Sequence, residues 1–367
     1  MKNACIVFKR EKNFFSEWKY NTVLDSFFSL GYAFEEIRVL FGTEESKLRS
    51  ILLELKKDYD NILFLTNTAM LSTARSLLST LFKEENIGMA SGAGIFSENG
   101  KSLFLLPEDS SETVGECIPN VCVPFLLKKY GTRLDKIVIR TIGASEMRVK
   151  SLLAQARNLY RGTLTYSHTR HNDEDIIRIF YDQNVPKMLT DDVLRLFAEG
   201  LGDTVYALDD TSLEKQLVQL LKLRGRKISV AESFTGGGIA RRITSVSGAS
   251  EVYFEGLNTY NENAKIKRLG VSEYTLGTVG AVSDQTAYEM ATGLLATGDC
   301  DICIATTGIA GPKSDKSMLP VGLCYIAVGT KERVFVYRYK FDGTREDITE
   351  TAINYALHLA YKQLKNM

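Results

Sequence analysis

The chain of 367 residues is long enough for two or three domains, and its 44% hydrophobic residues can bury ordinary cores. Its 45 basic and 45 acidic side chains cancel, so no broad positive field is available to hold a nucleic-acid backbone. No apolar run approaches the roughly 20 residues of a membrane helix, and the charged residues 9–12 argue against a signal peptide. We therefore expect a cytoplasmic protein with no membrane contact and no direct nucleic-acid binding.

The first 130 residues alternate strand patterns with helical patterns in the spacing of their apolar residues. Beginning with a strand and ending with a helix, the patterns cover 4–8, 14–31, 33–40, 43–59, 61–66 and 71–85. The helix at 43–59 starts with acids and ends with lysines, which suits the helix dipole. This alternation predicts an α/β domain at 1–130, with a doubly wound, mostly parallel sheet.

Residues 131–207 predict a small α+β module between the two larger parts of the chain. Its strand patterns lie at 133–143, 162–170 and 174–182, and its helical patterns lie at 145–160 and 186–202. The two strand patterns at 162–170 and 174–182 are close enough in sequence to form a hairpin.

Residues 208–367 predict a C-terminal α/β module. Thr211 and Glu214 have the spacing of a capping box before a helix at 212–225, whose leucines share one face. Strand patterns follow at 227–231, 252–261, 302–307, 321–328 and 333–340, with helical patterns at 283–297 and 347–365. The final helix is expected to turn Ile348, Ala352, Tyr355 and Leu359 inward.

The six cysteines are sparse and lie in apolar segments, which is typical of reduced thiols in a core. Cys300 and Cys303 form a CxxC pattern, but in a strand this spacing points two side chains to opposite faces. Because no second pair has the spacing of a zinc finger, we expect no metal site.

Ser233 lies in the stretch SVAESFTGGGIARR, between a short apolar run and three consecutive glycines. Taken alone, the stretch favours a helix cap, in which the hydroxyl of Ser233 or Thr235 bonds to backbone amides. The alternative is a serine nucleophile at a turn, where free backbone N–H groups stabilise an oxyanion or a phosphate. The segment by itself leaves both interpretations open.

A serine nucleophile needs a base, and none of the three histidines lies in a pattern that suits a Ser-His-Asp site. His168 and His171 belong to the middle module, and His358 belongs to the final helix. The remaining option is a lysine whose pKa is lowered by burial or by a neighbouring cation.

The stretch NTYNENAKIK offers two such lysines, Lys265 and Lys267. Tyr260 lies five residues before Lys265, so its phenol could relay a proton between that lysine and Ser233. In isolation, the same pattern is more typical of a strand end followed by a solvated helix face.

Two further segments offer ligand contacts. The stretch TTGIAGPKS is not a P-loop, since Lys313 stands where that pattern needs glycine. It reads instead as a loop at a strand end, where the amides of Gly308 and Gly311 can approach a ligand closely. Arg345 lies at an expected helix start. It is either a surface charge, or its guanidinium forms two parallel hydrogen bonds to a phosphate or carboxylate.

The stretches AESFTGG, NTYNENAK, GAVS, TGIAGP, PVG and FDGTRED occur in the order of the C-terminal domain of the CinA family. Residues 211–367 therefore resemble that domain, which is the nicotinamide mononucleotide (NMN) deamidase domain and an α/β sandwich. Six short motifs in order are far more specific than any single glycine pair. The resemblance favours the functional interpretation of each segment over the structural one.

The resemblance implies a nicotinamide-nucleotide amidase, which hydrolyses the carboxamide of NMN to nicotinic acid mononucleotide and ammonia in pyridine-nucleotide recycling. By motif match, Ser233 is the nucleophile, Lys265 is the residue that activates it, and Tyr260 is the tyrosine beside that lysine. Arg345 matches the arginine of the family's F-x-G-D-R motif, where it would hold the ribose phosphate or orient the ring.

The same match implies how the substrate is bound. The anion pocket would be formed by the amides of Thr235, Gly236 and Gly237. The nucleotide loop would consist of Thr307, Gly308, Ala310 and Gly311. The implied reaction requires no cofactor and no metal, and the implied assembly is a homodimer.

Three residues depart from the family's motifs. Phe234 stands where the family has a small residue, often Cys, and Thr344 replaces the Asp of G-D-R. Leu319 replaces a Lys that is common before PVG. None of these changes removes a proposed catalytic group, but Phe234 and Thr344 are expected to change the shape of the pocket.

Residues 1–206 also resemble the family's molybdopterin-binding-like domain, to which relatives owe a metal-dependent ADP-ribose pyrophosphatase activity. The family's GTELL is replaced by FKREKN, and its TGG-x-GPT-x-DD loop aligns with TNTAMLSTAR, from Thr66 to Arg75. Both glycines and both acids are lost, and LPEDSSE, from Leu106 to Glu112, is a remnant of PGPPSE. Because metal-dependent hydrolysis needs carboxylates, we expect no bound divalent metal and no activity here, only an interaction or dimerisation role.

Two alternatives to the amidase remain open. One is a pyrophosphatase acting on ADP-ribose through the N-terminal domain. The other is a nucleotide-binding or scaffold protein without catalysis, linked to competence, which the zero net charge does not support as a direct DNA binder.

Overall fold

The computed structural model describes residues 2–9, 20–88, 92–131, 134–160, 165–182, 184–314 and 318–367. Its contacts group the chain into two units. The first comprises Met1–Lys136, Thr165–Ser167 and Phe180–Val185. The second comprises Ile137–Leu164, His168–Ile179 and Pro186–Met367. The division into three domains at 1–130, 131–207 and 208–367 stays a prediction.

A six-stranded sheet organises the first unit. Its elements are β1 (Asn3–Lys9), α1 (Tyr20–Ser29), β2 (Glu36–Phe41), α2 (Glu45–Asp58), β3 (Asn61–Thr66), α3 (Leu71–Ser79), β4 (Glu84–Gly88), β5 (Gly94–Glu98), β6 (Lys101–Pro107) and α4 (Val123–Tyr130). The strand order is β2-β1-β3-β6-β5-β4. The four strands β2, β1, β3 and β6 run parallel, and β5 and β4 extend the sheet in antiparallel fashion.

Successive residues of β1 face two different cores, as expected for a sheet covered on both faces. Ala4 and Ile6 pack with α2 and α3, whereas Cys5 and Val7 pack with α1 and α4. The predicted doubly wound, mostly parallel sheet is therefore confirmed.

Two helical predictions in this unit need qualification. The helix expected at 71–85 ends at Ser79, and residues 84–88 form β4 because they pair with β5. Long-range strand pairing overrides the local helical spacing there. The helix expected at 14–31 is present as Tyr20–Ser29, and its residues 14–19 lie outside the described part of the chain.

The middle of the chain forms a four-stranded sheet with two helices, which confirms the predicted α+β module. Its elements are β7 (Leu134–Ile142), α5 (Glu146–Leu159), β8 (Thr165–His171), β9 (Glu174–Asp182), α6 (Lys187–Leu201) and β10 (Val205–Ala207). The strand order is β10-β7-β9-β8. Strands β8 and β9 are neighbours joined by Asn172 and Asp173, which both have positive φ, as a two-residue hairpin turn requires.

The C-terminal part is built on a five-stranded sheet. Its elements are α7 (Leu213–Arg224), β11 (Ile228–Glu232), α8 (Gly238–Thr244), β12 (Tyr253–Asn258), α9 (Glu262–Leu269), α10 (Glu273–Thr278), α11 (Asp284–Ala296), β13 (Ile302–Gly308), β14 (Leu323–Thr330), β15 (Val334–Lys340) and α12 (Arg345–Lys365). The order is β12-β11-β13-β14-β15, with β12, β11 and β13 parallel and the other two strands antiparallel.

Helices cover both faces of this sheet. Val230 of β11 packs with α7, α8 and α12 on one face, and Ala231 packs with α11 on the other. Ile348 and Ala352 of α12 are buried as predicted, and Tyr355 and Leu359 are half-buried. This arrangement confirms the predicted α/β sandwich and places the carboxyl end of β11 beside the ends of its parallel neighbours.

Two local predictions were wrong. Helix α7 is capped at Ser212, whose hydroxyl donates to Glu214, so Thr211 and Glu214 form no capping box. Cys300 and Cys303 lie in the same apolar core, because Cys300 precedes the strand that contains Cys303. All six cysteines are buried and form no disulfide, and burial raises the pKa of the Cys303 thiol.

In the part of the chain that the structure describes, no helix has both the length and the apolar character needed to cross a membrane.

Candidate active site

The carboxyl end of β11 delivers Ser233 into a tight turn. The amide of Gly236 donates to the carbonyl of Ser233 at 3.0 Å, and the amide of Gly238 donates to the carbonyl of Thr235 at 2.9 Å. Gly236 and Gly237 have φ values of 62° and 95°, which side chains with a Cβ rarely adopt. The glycines are therefore needed to fold the backbone back on itself directly after Ser233.

The carboxylate of Glu232 lies at the N-terminus of α8. It accepts hydrogen bonds from the amides of Gly237, Ile239 and Ala240 at 3.0, 3.1 and 2.8 Å. Glu232 is 1% exposed. A carboxylate in this position satisfies helix amides that have no partner within the helix.

This arrangement corrects two expectations. Helix α8 is capped by Gly237, with no side-chain hydrogen bond from a hydroxyl of Ser233 or Thr235. The hydroxyl of Thr235 pairs with that of Thr306 at 2.8 Å. The amides of Gly236 and Gly237 already have acceptors within the turn, so the predicted anion pocket does not include them. In the described residues, the amides of Phe234 and Thr235 have no acceptor.

Lys265 meets Ser233 directly. Its Nζ lies 2.9 Å from Ser233 Oγ and 2.6 Å from the carbonyl oxygen of Thr259. Helix α9 positions it, beginning after Asn261, whose side chain accepts from the amide of Asn263. Lys265 is 1% exposed, whereas Lys267 on the same helix is exposed. The geometry thus distinguishes between the two lysines that the sequence offered.

Burial lowers the pKa of Lys265 from its ordinary value to about 8, because a charged amine loses its hydration inside the protein. The negative charge of Glu262 opposes this shift. A pKa near 8 gives a substantial neutral fraction at physiological pH, and the neutral amine can accept a proton from a hydroxyl at hydrogen-bond distance.

Tyr260 and Arg345 form a second pair at the site. Arg345 donates to the hydroxyl of Tyr260 at 3.1 Å and to the carbonyl of Gly311 at 2.7 Å. Tyr260 is 60% exposed. Its hydroxyl accepts a hydrogen bond from the Arg345 guanidinium and does not lie between Lys265 and Ser233. The direct contact between Lys265 and Ser233 therefore needs no relay through Tyr260.

Thr344 caps the helix that carries Arg345. Its hydroxyl accepts from the amide of Asp347, and the Asp347 carboxylate accepts from the amide of Thr344. Asp and Thr are both good N-cap residues, so replacing the Asp of the family motif by Thr preserves the cap.

The predicted nucleotide loop is held largely by packing. A Cβ on Gly308 would lie 2.5 Å from the Cβ of Cys324, so glycine there allows β13 and β14 to pair. Thr307 is buried and donates to the carbonyl of Ala281, and Ala310 is buried in an apolar cluster. Gly311, with a φ of 83°, contributes its carbonyl to Arg345.

Phe234 belongs to the same apolar cluster as Ala310, together with Phe341 and Ile348. It is buried, so its ring replaces a small side chain in the core beneath the turn. The expected change in pocket shape therefore acts through packing of the turn and not through an exposed ring.

The histidines lie elsewhere. His358 is buried, bonds to the carbonyl of Asp203, and has a pKa lowered to about 4 by burial. His168 bonds to the buried carboxylate of Asp175. Among the described residues, no group of three or more His, Cys, Asp or Glu could hold a metal ion.

The sequence patterns did not single out two residues that contribute to this geometry, Glu232 and Thr259. Glu232 carried a usable signal, because it is an acid at the end of an otherwise apolar strand, directly before a glycine-rich turn. Thr259 acts through its backbone carbonyl, which leaves no signal in the side-chain pattern.

Comparisons with known proteins show which family this chain is similar to. A family model described as the CinA C-terminal domain matches residues 210–364. A relative from Caldicellulosiruptor saccharolyticus, which carries the name of a competence-damage inducible protein, is 37% identical over 78% of this chain and 70% of its own length. A CinA-like protein from Kosmotoga olearia is 32% identical over 76% of this chain and 67% of its own length.

Solved structures also show similarity to part of this chain. A CinA superfamily protein from Klebsiella pneumoniae shows 30% identity and a TM-score of 0.41, covering 42% of this chain and 97% of its own. The competence/damage inducible protein CihA from Agrobacterium tumefaciens shows 36% identity and a TM-score of 0.40, covering 42% and 93%.

Proposed function

Because this chain belongs to the CinA family, we propose that its C-terminal module is an amidase that hydrolyses NMN to nicotinic acid mononucleotide and ammonia. The observation that carries the proposal is the 2.9 Å contact between Lys265 Nζ and Ser233 Oγ. Both side chains are buried, and the lysine has a pKa lowered to about 8. A serine paired with such an amine has the two groups that acyl transfer requires.

The reaction begins when neutral Lys265 takes the proton of Ser233 Oγ. The oxygen forms a bond to the carboxamide carbon, which becomes tetrahedral. The C–N bond then breaks, and the Lys265 ammonium returns the proton to the leaving nitrogen, so that ammonia departs. Lys265 then deprotonates a water molecule, whose oxygen attacks the acyl carbon of the ester. The bond between that carbon and Ser233 Oγ breaks, the acid is released, and the Lys265 ammonium returns the proton to Ser233 Oγ.

The amides of Phe234 and Thr235 are the donors best placed for the oxyanion in this proposal. They lie in the turn next to Ser233 Oγ and have no acceptor among the described residues. One such donor contributes on the order of 3 kcal/mol to transition-state stabilisation in comparable sites.

Arg345 binds the anionic part of the substrate in this proposal. Its contacts with Gly311 and Tyr260 hold the guanidinium in place while leaving further N–H donors free of these two partners. A guanidinium fork matches the geometry of a phosphate or a carboxylate. The nucleotide loop at 307–311 would lie against the same ligand.

The test is ammonia release from NMN by the purified full-length chain and by S233A. We expect release by the wild type and a loss of at least about 1,000-fold in kcat/KM in the variant. Equal activity of the two proteins, or no release by the wild type, would overturn the proposal.

We propose further that the amidase needs no cofactor, that it acts in the cytoplasm in pyridine-nucleotide recycling, and that two copies of the chain associate. The first unit contributes no pyrophosphatase activity. In support, two of the three carboxylates left in its remnant motif have partners within the protein: Glu108 Oε1 pairs with Lys9, and Asp109 accepts from Thr68.

A further inference from the structure

We propose that Glu232 is a positioning residue for the amidase, because its carboxylate holds the turn that sets Ser233 Oγ on Lys265 Nζ. This inference rests on the proposed function for its kinetic consequence. Its geometric consequence, the distance between the serine oxygen and the lysine nitrogen, can be measured without any substrate.

The side chain of Glu232 spans the turn that contains the nucleophile. Its two oxygens take the amides of Gly237, Ile239 and Ala240, which lie five, seven and eight residues further along the chain. Residues 233–236 are therefore closed into a loop whose two ends are both attached to Glu232. The Glu232 side chain is almost fully buried, so water cannot replace these hydrogen-bond donors. Loss of one bond therefore leaves an amide at the start of the helix without a partner.

The backbone of Glu232 fixes the other partner. Its carbonyl accepts from the amide of Thr259 at 2.8 Å, and the carbonyl of Thr259 in turn accepts from Lys265 Nζ at 2.6 Å. One residue thus connects the segment that carries the nucleophile with the segment that orients the base. A displacement of the turn changes the distance between Ser233 and Lys265 without changing either side chain.

The chemistry requires both the length and the two oxygens of glutamate. Aspartate is shorter by one methylene, so it cannot reach all three of the amides that follow the turn. Glutamine has the length, but its NH2 group would face a backbone N–H where a carboxylate oxygen now accepts. Both replacements are expected to move the turn, glutamine at nearly unchanged side-chain volume and aspartate with the loss of one methylene.

Glu289 provides a matched control in the same module. Its carboxylate also accepts three hydrogen bonds, from the amide of Ser272 and the side chains of Thr275 and Gln285. These contacts hold the start of α10 and involve no residue of the proposed site. E289Q therefore makes the same chemical change away from Ser233, at a carboxylate that is half-buried.

The experiment compares E232Q, E232D and E289Q with the wild type in the full chain. Crystal structures give the distance from Ser233 Oγ to Lys265 Nζ, thermal unfolding gives Tm, and ammonia release from NMN gives kcat and KM. We expect the distance to exceed hydrogen-bonding range in both Glu232 variants, with kcat reduced about 10- to 100-fold and KM changed less than about 3-fold. E289Q should lower Tm by less, because two of its three donors are side chains that can reorient, and it should leave the distance, kcat and KM unchanged.

Several outcomes would overturn the inference. It fails if the distance stays at hydrogen-bonding range in E232Q and E232D, or if E289Q reduces kcat as much as they do. It also fails if both Glu232 variants are unable to fold while E289Q folds, since the carboxylate would then serve folding alone. If the wild type releases no ammonia, the proposed function is wrong. The distance from Ser233 Oγ to Lys265 Nζ in the variants still tests whether Glu232 positions Ser233.

Discussion

Among single residues, the buried amine of Lys265 governs how the proposed reaction should depend on pH. Its pKa is lowered from 10.5 to about 8 by burial, and only the neutral amine can accept the proton of Ser233. The neutral fraction increases as pH rises through 8. The folded state releases this proton more readily than the unfolded chain, so Lys265 makes the fold more stable as pH rises from about 8 towards 10.5.

We therefore expect kcat/KM to rise about tenfold per pH unit below pH 8 and to level off above it. Initial rates of ammonia release between pH 6 and about pH 9.5 measure this profile. The exposed Lys267 supplies the control, since K267M should leave the profile unchanged. A profile that is flat between pH 6 and about pH 9 would remove Lys265 from the role of base.

The position of Tyr260 leads to a second prediction at this scale. Its hydroxyl accepts from Arg345 and makes no contact with Ser233 or Lys265 among the described residues. We expect Y260F to raise KM by less than about 10-fold, because Arg345 loses one of its supports, and to leave kcat nearly intact. Steady-state kinetics separate the two constants. A loss of about 100-fold or more in kcat would instead show that the phenol carries the proton.

At the scale of elements, the capping box of α12 connects stability with the site. Thr344 and Asp347 exchange hydrogen bonds at the helix start, and Arg345 is the first residue of that helix. We expect T344A to lower the free energy of unfolding by about 1 kcal/mol. T344S should retain most of that stability, because a serine hydroxyl can both accept from the Asp347 amide and donate to the Asp347 carboxylate. Denaturant unfolding of the three proteins measures the difference, and equal losses in both variants would contradict the prediction.

Most elements followed from local patterns, and the exceptions share a cause. The strand Glu174–Asp182 and the helix Arg345–Lys365 correspond closely to their patterns, since their burial repeats with the period of a strand or a helix. The strand Asn61–Thr66 is buried throughout, as its continuous apolar run predicts. The segment 84–88 continued a helical pattern, but it forms β4 because β5 offers it a partner. The cap of α8 also came from outside the helix, from Glu232. Partners that are distant in sequence leave no local signal.

At the scale of the whole molecule, the two units differ in the polar side chains that lie at the ends of their strands. The first keeps the doubly wound architecture, but its strand-end segment after Thr66 lacks acids. Asn67 accepts from the amide of Met70, and Asp109 accepts from Thr68, so these polar groups serve the turn. The second unit contains the Ser233 and Lys265 pair.

We therefore expect the full chain to show no ADP-ribose turnover with added Mg²⁺ or other divalent cations, because hydrolysis of a pyrophosphate needs carboxylates to hold the metal. Phosphate-coupled detection of AMP and ribose phosphate measures this reaction. S233A serves as the control, since any turnover that survives this change would come from outside the amidase site and would revive a pyrophosphatase.

The sequence by itself determined the alternation of strands and helices and the scarcity of histidine, which are properties of composition and spacing. The set Ser233, Tyr260, Lys265 and Arg345 was implied by motifs in the sequence that resemble those of the CinA family. Only the tertiary structure decided that Lys265 rather than Lys267 meets the serine, that Tyr260 lies on Arg345, and that Glu232 occupies the helix start. The reason is physical. A hydrogen bond depends on separations of about 3 Å between residues far apart in the chain, and the packing of α8, α9 and α12 around one sheet sets those separations.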